Sequence, residues 1–160
     1  VAEETLRLVL DTYVVGRFSR IRRGLKVPAG KHLIVGMGSR VTGSILAQGD
    51  VVLAQDVHVA GSVRTALDVV IGARARVEGD VVSAANVYVL DGARVGGRLE
   101  AGGLVRIVGG FVHGPVRTSG DIEVGGTAVL HELRAGGRIR ALPDFAPVGA
   151  REEDPKVTDS

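Results

Sequence analysis

Written in rows of eighteen, the chain from Leu33 to Leu142 repeats one apolar pattern: LIVGMGSRVTGSILAQGD, VVLAQDVHVAGSVRTALD, VVIGARARVEGDVVSAAN, VYVLDGARVGGRLEAGGL. Two rows one residue shorter follow, VRIVGGFVHGPVRTSGD and IEVGGTAVLHELRAGGR, and then the fragment IRALP. Place 1 of each row is Leu33, Val51, Val69, Val87, Val105, Ile122 and Ile139, and place 3 is Val35, Leu53, Ile71, Val89, Ile107 and Val124. With the gap of the short rows set after place 3, place 9 is Val41, Val59, Val77, Val95, Val112 and Val129. Place 13 is Ile45, Val63, Val81, Leu99, Val116 and Leu133, and place 15 holds small residues from Ala47 to Ala135. Place 11 is glycine from Gly43 to Gly114 and fails at His131.

Apolar residues two apart, rich in Val and Ile and broken by Gly, are a strand signal. Three such pairs per row predict three short strands joined by tight bends, so one row is one coil of a three-sided β-solenoid. Each strand then pairs with its equivalent one coil away, at about 4.8 Å, and six to seven coils make a rod roughly 30 Å long. A helical repeat would need a 3.6-residue apolar period and could not carry 24 glycines. The expected fold is therefore all-β, with a β-helix domain over residues 27–142.

Composition agrees with stacked rungs. Apolar residues make up 45% of the 160-residue chain but aromatics only 3%, as expected where Val, Ile and Ala ladders fill a regular interior. The absence of cysteine excludes disulfides, thiolate metal sites and Cys nucleophiles. No apolar run approaches the ~18 residues of a membrane span and no signal-peptide pattern appears, so a cytoplasmic protein is expected.

The flanks break the rhythm. Residues 1–16 read better as a strand than as a helix, because Thr, Tyr and four Val dominate, and their expected task is to cover the first coil. Arg17, Arg20, Arg22, Arg23, Lys26 and Lys31 follow without an acidic residue, with Phe18, Ile21 and Leu25 between them. Arg17, Phe18, Arg20, Ile21, Arg22, Arg23 and Lys26 are thus candidates for contact with an anionic membrane surface or another polyanion, against a plain solvated loop. Val27 and Ala29 lie eighteen residues before Ile45 and Ala47 and fit their columns, so an incomplete coil is expected to start there. The N-terminal segment is accordingly set at residues 1–26. After Pro143 the pattern stops, and residues 143–160 are read as a flexible, partly acidic tail with Phe145 as its lone aromatic.

Outward places carry charge: Arg40, His58, Arg76 and Arg94 form a basic stripe at place 8, while opposite signs mix elsewhere. Asp50, Asp68, Asn86 and Asp121 end their rows, where such residues are expected to hydrogen-bond their own bend. The stripe surrounds His58 with arginine, and the Gly doublets lack the helix that a phosphate loop needs. No catalytic residue, metal site, cofactor or small-molecule substrate is expected, and nucleic acid is not an expected partner.

The cores of the rows, in VHVAGSV, ARVEGDVVSAANVYV and ARVGGRLEAGGLVRI, resemble those of the bactofilins, the polymer-forming cytoskeletal family, over residues 27–142. The resemblance implies a right-handed, three-sided β-helix that polymerises end to end without nucleotide, often at a membrane, through apolar residues near its termini. Here those are Val27, Leu33 and Val35 at one end and Leu133, Ile139, Leu142 and Phe145 at the other. The chain itself is then the expected partner, forming a homopolymer or homo-oligomer, and an N-terminal strand could plug one end. The alternative is a hexapeptide-repeat acyltransferase, which also has eighteen-residue coils but winds left-handed and forms trimers. Val35-Gly36, Val59-Ala60 and Ile71-Gly72 fit its rule, with His58 as the default base. A basic-patch binding module is the third reading.

Overall fold

A computed structural model describes residues 6–126 and 128–142. Among these every regular element is a strand, and the strands stack as a β-solenoid of about seven turns. Three faces of nine, seven and six strands run along the rod. One coil contributes one strand to each face: the coil at Val51–Leu53 continues through His58–Val59 to Val63–Thr65. Neighbouring coils pair in parallel at an eighteen-residue offset, with Val69 opposite Val87, Val77 opposite Val95 and Val63 opposite Val81.

The alternation expected from the rows fixes what is buried. Places 1, 3, 9 and 13 turn inward, and Val51, Leu53, Val59 and Val63 are all fully buried, as are their equivalents through the next two coils. Burying such an aliphatic side chain is worth ~1.5–3 kcal/mol. Each rung is sandwiched by two others, so the core is a set of continuous ladders and stability is shared between neighbours.

Two register details differ from the expectation. Leu25 pairs with Ile45 and Val27 with Ala47, rather than Val27 with Ile45 and Ala29 with Ala47. The first two coils are offset by twenty residues on all three faces, since Arg20 pairs with Arg40 and Tyr13 with Leu33. The two extra residues sit in the corner after Val27, where Lys31 N–H donates to Pro28 C=O (3.2 Å) and Gly30 has φ 81°. A positive φ at the third turn position favours glycine, and proline first costs nothing where no N–H is used. Residues 12–27 therefore form a complete first coil. The second difference is Val129, which pairs with Phe111 on the outside of the rod and is 48% exposed. Leu130 packs on the core in its stead, so this row absorbs its missing residue in the second corner, before Glu132 meets Pro115.

Corners are joined by polar ladders along the rod. Asp68 N–H donates to Asp50 Oδ1 (3.1 Å), Asn86 N–H to Asp68 Oδ1 (3.0 Å) and Leu104 N–H to Asn86 Oδ1 (2.8 Å). These side chains thus cap the next coil, not their own bend as expected. His32 heads the ladder by accepting from Asp50 N–H through Nδ1 (2.9 Å). A second ladder runs Ser62 N–H to Ser44 Oγ, Asp80 N–H to Ser62 Oγ and Arg98 N–H to Asp80 Oδ1, each at 2.9 Å. It also explains the glycine column at place 11: a Cβ on Gly61 would overlap Ser44 Oγ.

Candidate assembly ends and the basic face

The N-terminal end is covered on one face. Leu6–Val9 folds back antiparallel on Thr12–Val15, pairing Leu6 with Val15 and Leu8 with Tyr13. Leu6 and Tyr13 pack on the core beneath, while Leu10 at the bend is 91% exposed with φ 57°. The segment expected to be one covering strand is thus a hairpin, and its second strand belongs to the first coil. On the other two faces Arg20–Ile21 and Leu25–Val27 are edge strands, but Ile21, Leu25 and Val27 are buried.

The C-terminal end differs. Glu132–Ala135 and Ile139–Ala141 are the last strands of their faces. Leu133 and Ile139 are only partly buried, although Val116 and Ile122, their partners one coil inward, are fully buried. Leu142 N–H still donates to Val124 C=O (2.7 Å), which continues the ladder one residue further. Among the described residues no strand covers these edges.

These positions sort the candidates for self-association. Leu133, Ile139 and Leu142 lie together at the C-terminal edge. Val27 is in the first coil, whereas Leu33 and Val35 belong to the second and are buried between Tyr13–Val15 and Val51–Leu53. Phe145 and the tail at 143–160 lie outside the described residues, as does Thr127.

The basic residues of the N-terminal segment also divide. Arg17, Arg22, Arg23 and Lys26 are exposed, Phe18 is 57% exposed, and Ile21 is a core residue. Arg20 joins the stripe at place 8, which therefore runs Arg20, Arg40, His58, Arg76, Arg94 in register before Phe111. The twenty-residue offset hid Arg20 from the row reading. His58 Nε2 lies 2.7 Å from Glu78 Oε2 and Arg76 lies 3.9 Å from the same oxygen. The Arg94 guanidinium lies 5.5 Å from the Phe111 ring centre.

The first corner carries a left-handed residue in most coils: Phe18, Gly38, Asp56, Arg74 and Gly92 have φ between 54° and 75°. Arg74 is held there by a two-pronged bond to Asp56 (3.0 and 3.1 Å), which raises its already high pKa. Asp121 at the C-terminal corner accepts Arg138 N–H (2.9 Å) and Arg140 Nη2 (3.3 Å). The backbone bond first, and the arginine second, hold its carboxyl below the ordinary 3.8 despite some desolvation.

His113 and His131 stack at 6.4 Å beside Phe111, and among the described residues no group of three or more His, Cys, Asp or Glu could hold a metal. Among those residues no helix is long and apolar enough to cross a membrane. Family models, curated proteins and solved structures contain no match to this chain.

Proposed function

We propose that this protein is a structural building block that assembles with copies of itself, end to end and without nucleotide, beginning at its C-terminal coil. One observation carries the reading: Leu133 and Ile139 are left partly exposed where the partners they stack on are fully buried. Partly exposed apolar ladders, beside strand edges that no other strand covers among the described residues, are templates for another chain. Two such ends meeting give a closed, two-fold contact, while opposite ends meeting give an open filament. The resemblance of the rows to bactofilins supports the same reading, and a cysteine-free chain suits the cytoplasm that this role implies.

The test is self-association of the purified chain by sedimentation velocity and negative-stain microscopy, with Ile139→Asp and Leu142→Asp as variants. The chain is expected to form dimers or longer rods, and either variant to stay monomeric with unchanged circular dichroism. A monomeric parent at high concentration, or a variant that assembles like it, defeats the reading.

A further inference from the structure

The basic stripe is not uniform along the rod. Parallel pairing sets like charges on successive rungs about 4.8 Å apart, which is unfavourable unless something neutralises them. On the third and fourth rungs something does, since Glu78 lies against His58 and Arg76; Arg94 on the fifth has the Phe111 ring centre at 5.5 Å instead of a carboxylate. Arg20 and Arg40, directly paired on the first two rungs, have no carboxylate within ion-pair distance among the described residues. Arg20 Nε is moreover buried without a hydrogen-bond partner.

Both arginines line a cleft of about 500 Å³ together with Phe18, Ser19 and Gly38. Its wall is rigidly placed. Phe18 occupies the left-handed corner position, its N–H donates to Met37 C=O (2.9 Å), and its ring fills the space a Cβ on Gly38 would need. Ser39 Oγ ties the floor by accepting Ser19 N–H (3.0 Å) and donating to Gly16 C=O (2.8 Å). A buried guanidinium donor without a protein partner is the kind of group that a bound anion satisfies.

We propose that this cleft is a site for a phosphate group, held between the Arg20 and Arg40 guanidiniums against the Phe18 ring. Two adjacent guanidiniums offer two positive charges and forked donors. A phosphate monoester answers them with a charge of about −1.5 to −2 and three acceptor oxygens, whereas a carboxylate brings one charge and one plane. The inference is independent of assembly through the C-terminal coil, because the cleft lies on the outer face of the first two coils, at the other end of the rod.

Inorganic phosphate and pyrophosphate, titrated calorimetrically into the full chain at constant ionic strength, are the first probes. Saturable binding is expected, weakened about tenfold by Arg20→Gln or Arg40→Gln and less than about twofold by Arg94→Gln, whose charge has the same sign but lines a separate, smaller hollow of about 150 Å³ that it shares with the Glu78 carboxylate. Arg40→Lys, which keeps the charge and loses the fork, should also weaken it. Vesicles of phosphatidylcholine with and without phosphatidic acid separate the sources. Retention on the acidic vesicles with weak binding of free phosphate identifies a lipid headgroup; equal loss in the Gln variants for free pyrophosphate identifies a soluble ligand. Absence of binding to every probe overturns the site, and so does a loss in Arg94→Gln as large as that in Arg20→Gln and Arg40→Gln.

Discussion

At the N-terminal end Val15, Ile21 and Val27 are as deeply buried as residues in the middle of the rod, while at the C-terminal end Leu133 and Ile139 keep part of their surface in water. Both ends depart from the eighteen-residue repeat, the first coil by two extra residues and the last row by one missing, but only the N-terminal end carries a reversed strand. The difference is the hairpin: an antiparallel strand at Leu6–Val9 ends the parallel stack on one face and lays Leu6 over the core. A reversed strand cannot be continued by the eighteen-residue pattern, which makes it a stop. At the other end Glu132–Ala135 and Ile139–Ala141 keep the parallel direction and the ordinary ladder, so nothing among the described residues forbids a further strand on them. Ending a solenoid takes a change of strand direction, not merely the end of the pattern.

The largest expected effect lies in the shaft that both ends share. Val77→Asp puts a carboxylate between Val59 and Val95 at a fully buried position, where an unpaired charge costs at least several kcal/mol. The rod is expected to unfold, as circular dichroism would report; a variant melting like the parent would contradict the inward column. Removing residues 1–11 is next. With the first strand of the hairpin gone, Val15 and Tyr13 lose their paired neighbours Leu6 and Leu8, at about 1.5–3 kcal/mol for the one aliphatic side chain uncovered. The truncated chain is expected to melt lower and to associate through both ends, giving longer species in sedimentation. If it stays as stable and as small as the parent, the hairpin is not a stop and the contrast between the ends fails.

How far this contrast could be read from the sequence depends on the kind of feature. The inward columns were legible, because Val, Ile and Leu at places 1, 3, 9 and 13 have one physical use in a period-two pattern. Strand character before Gly16 was legible too, though not that it is a hairpin. Positions of insertions and deletions were not. Val27 and Ala29 satisfy the eighteen-residue spacing as well as Leu25 and Val27 satisfy one of twenty, and only Gly30 in a proline-led turn hints that the extra residues sit in that corner. Val129 and Leu130 are equally apolar, so nothing in the spacing says which faces inward. The outward side at place 2 was missed altogether: Val14, Ile34, Val52, Val70 and Tyr88 follow one another in register there. Paired faces of a sheet read as continuous apolar runs, and such runs hide which member points out. Of the basic site, Phe18 and the arginines stood out by composition, but pairing Arg20 with Arg40 needed the true register.

The smallest effect distinguishes how the two ends hold their last corner. Asp50 N–H near the N-terminus is capped by His32, whereas Arg138 N–H near the C-terminus is capped by Asp121, whose pKa is lowered chiefly by that bond. A depressed carboxyl pKa stabilises the fold above its unfolded value, and that contribution is lost as pH falls through the folded one. Acid should therefore loosen the C-terminal corner only below about pH 4, where an ordinary Asp is already about half protonated. Asp121→Asn keeps an Oδ1 acceptor, as Asn86 does for Leu104 N–H at 2.8 Å in the same ladder, but cannot titrate. Amide exchange at Arg138 is expected to quicken in acid for the parent, beyond the change in the intrinsic exchange rate, and not for the variant. Equal acid sensitivity in both would mean that the carboxylate's charge contributes nothing to the corner, and that its shape as an acceptor does all the holding.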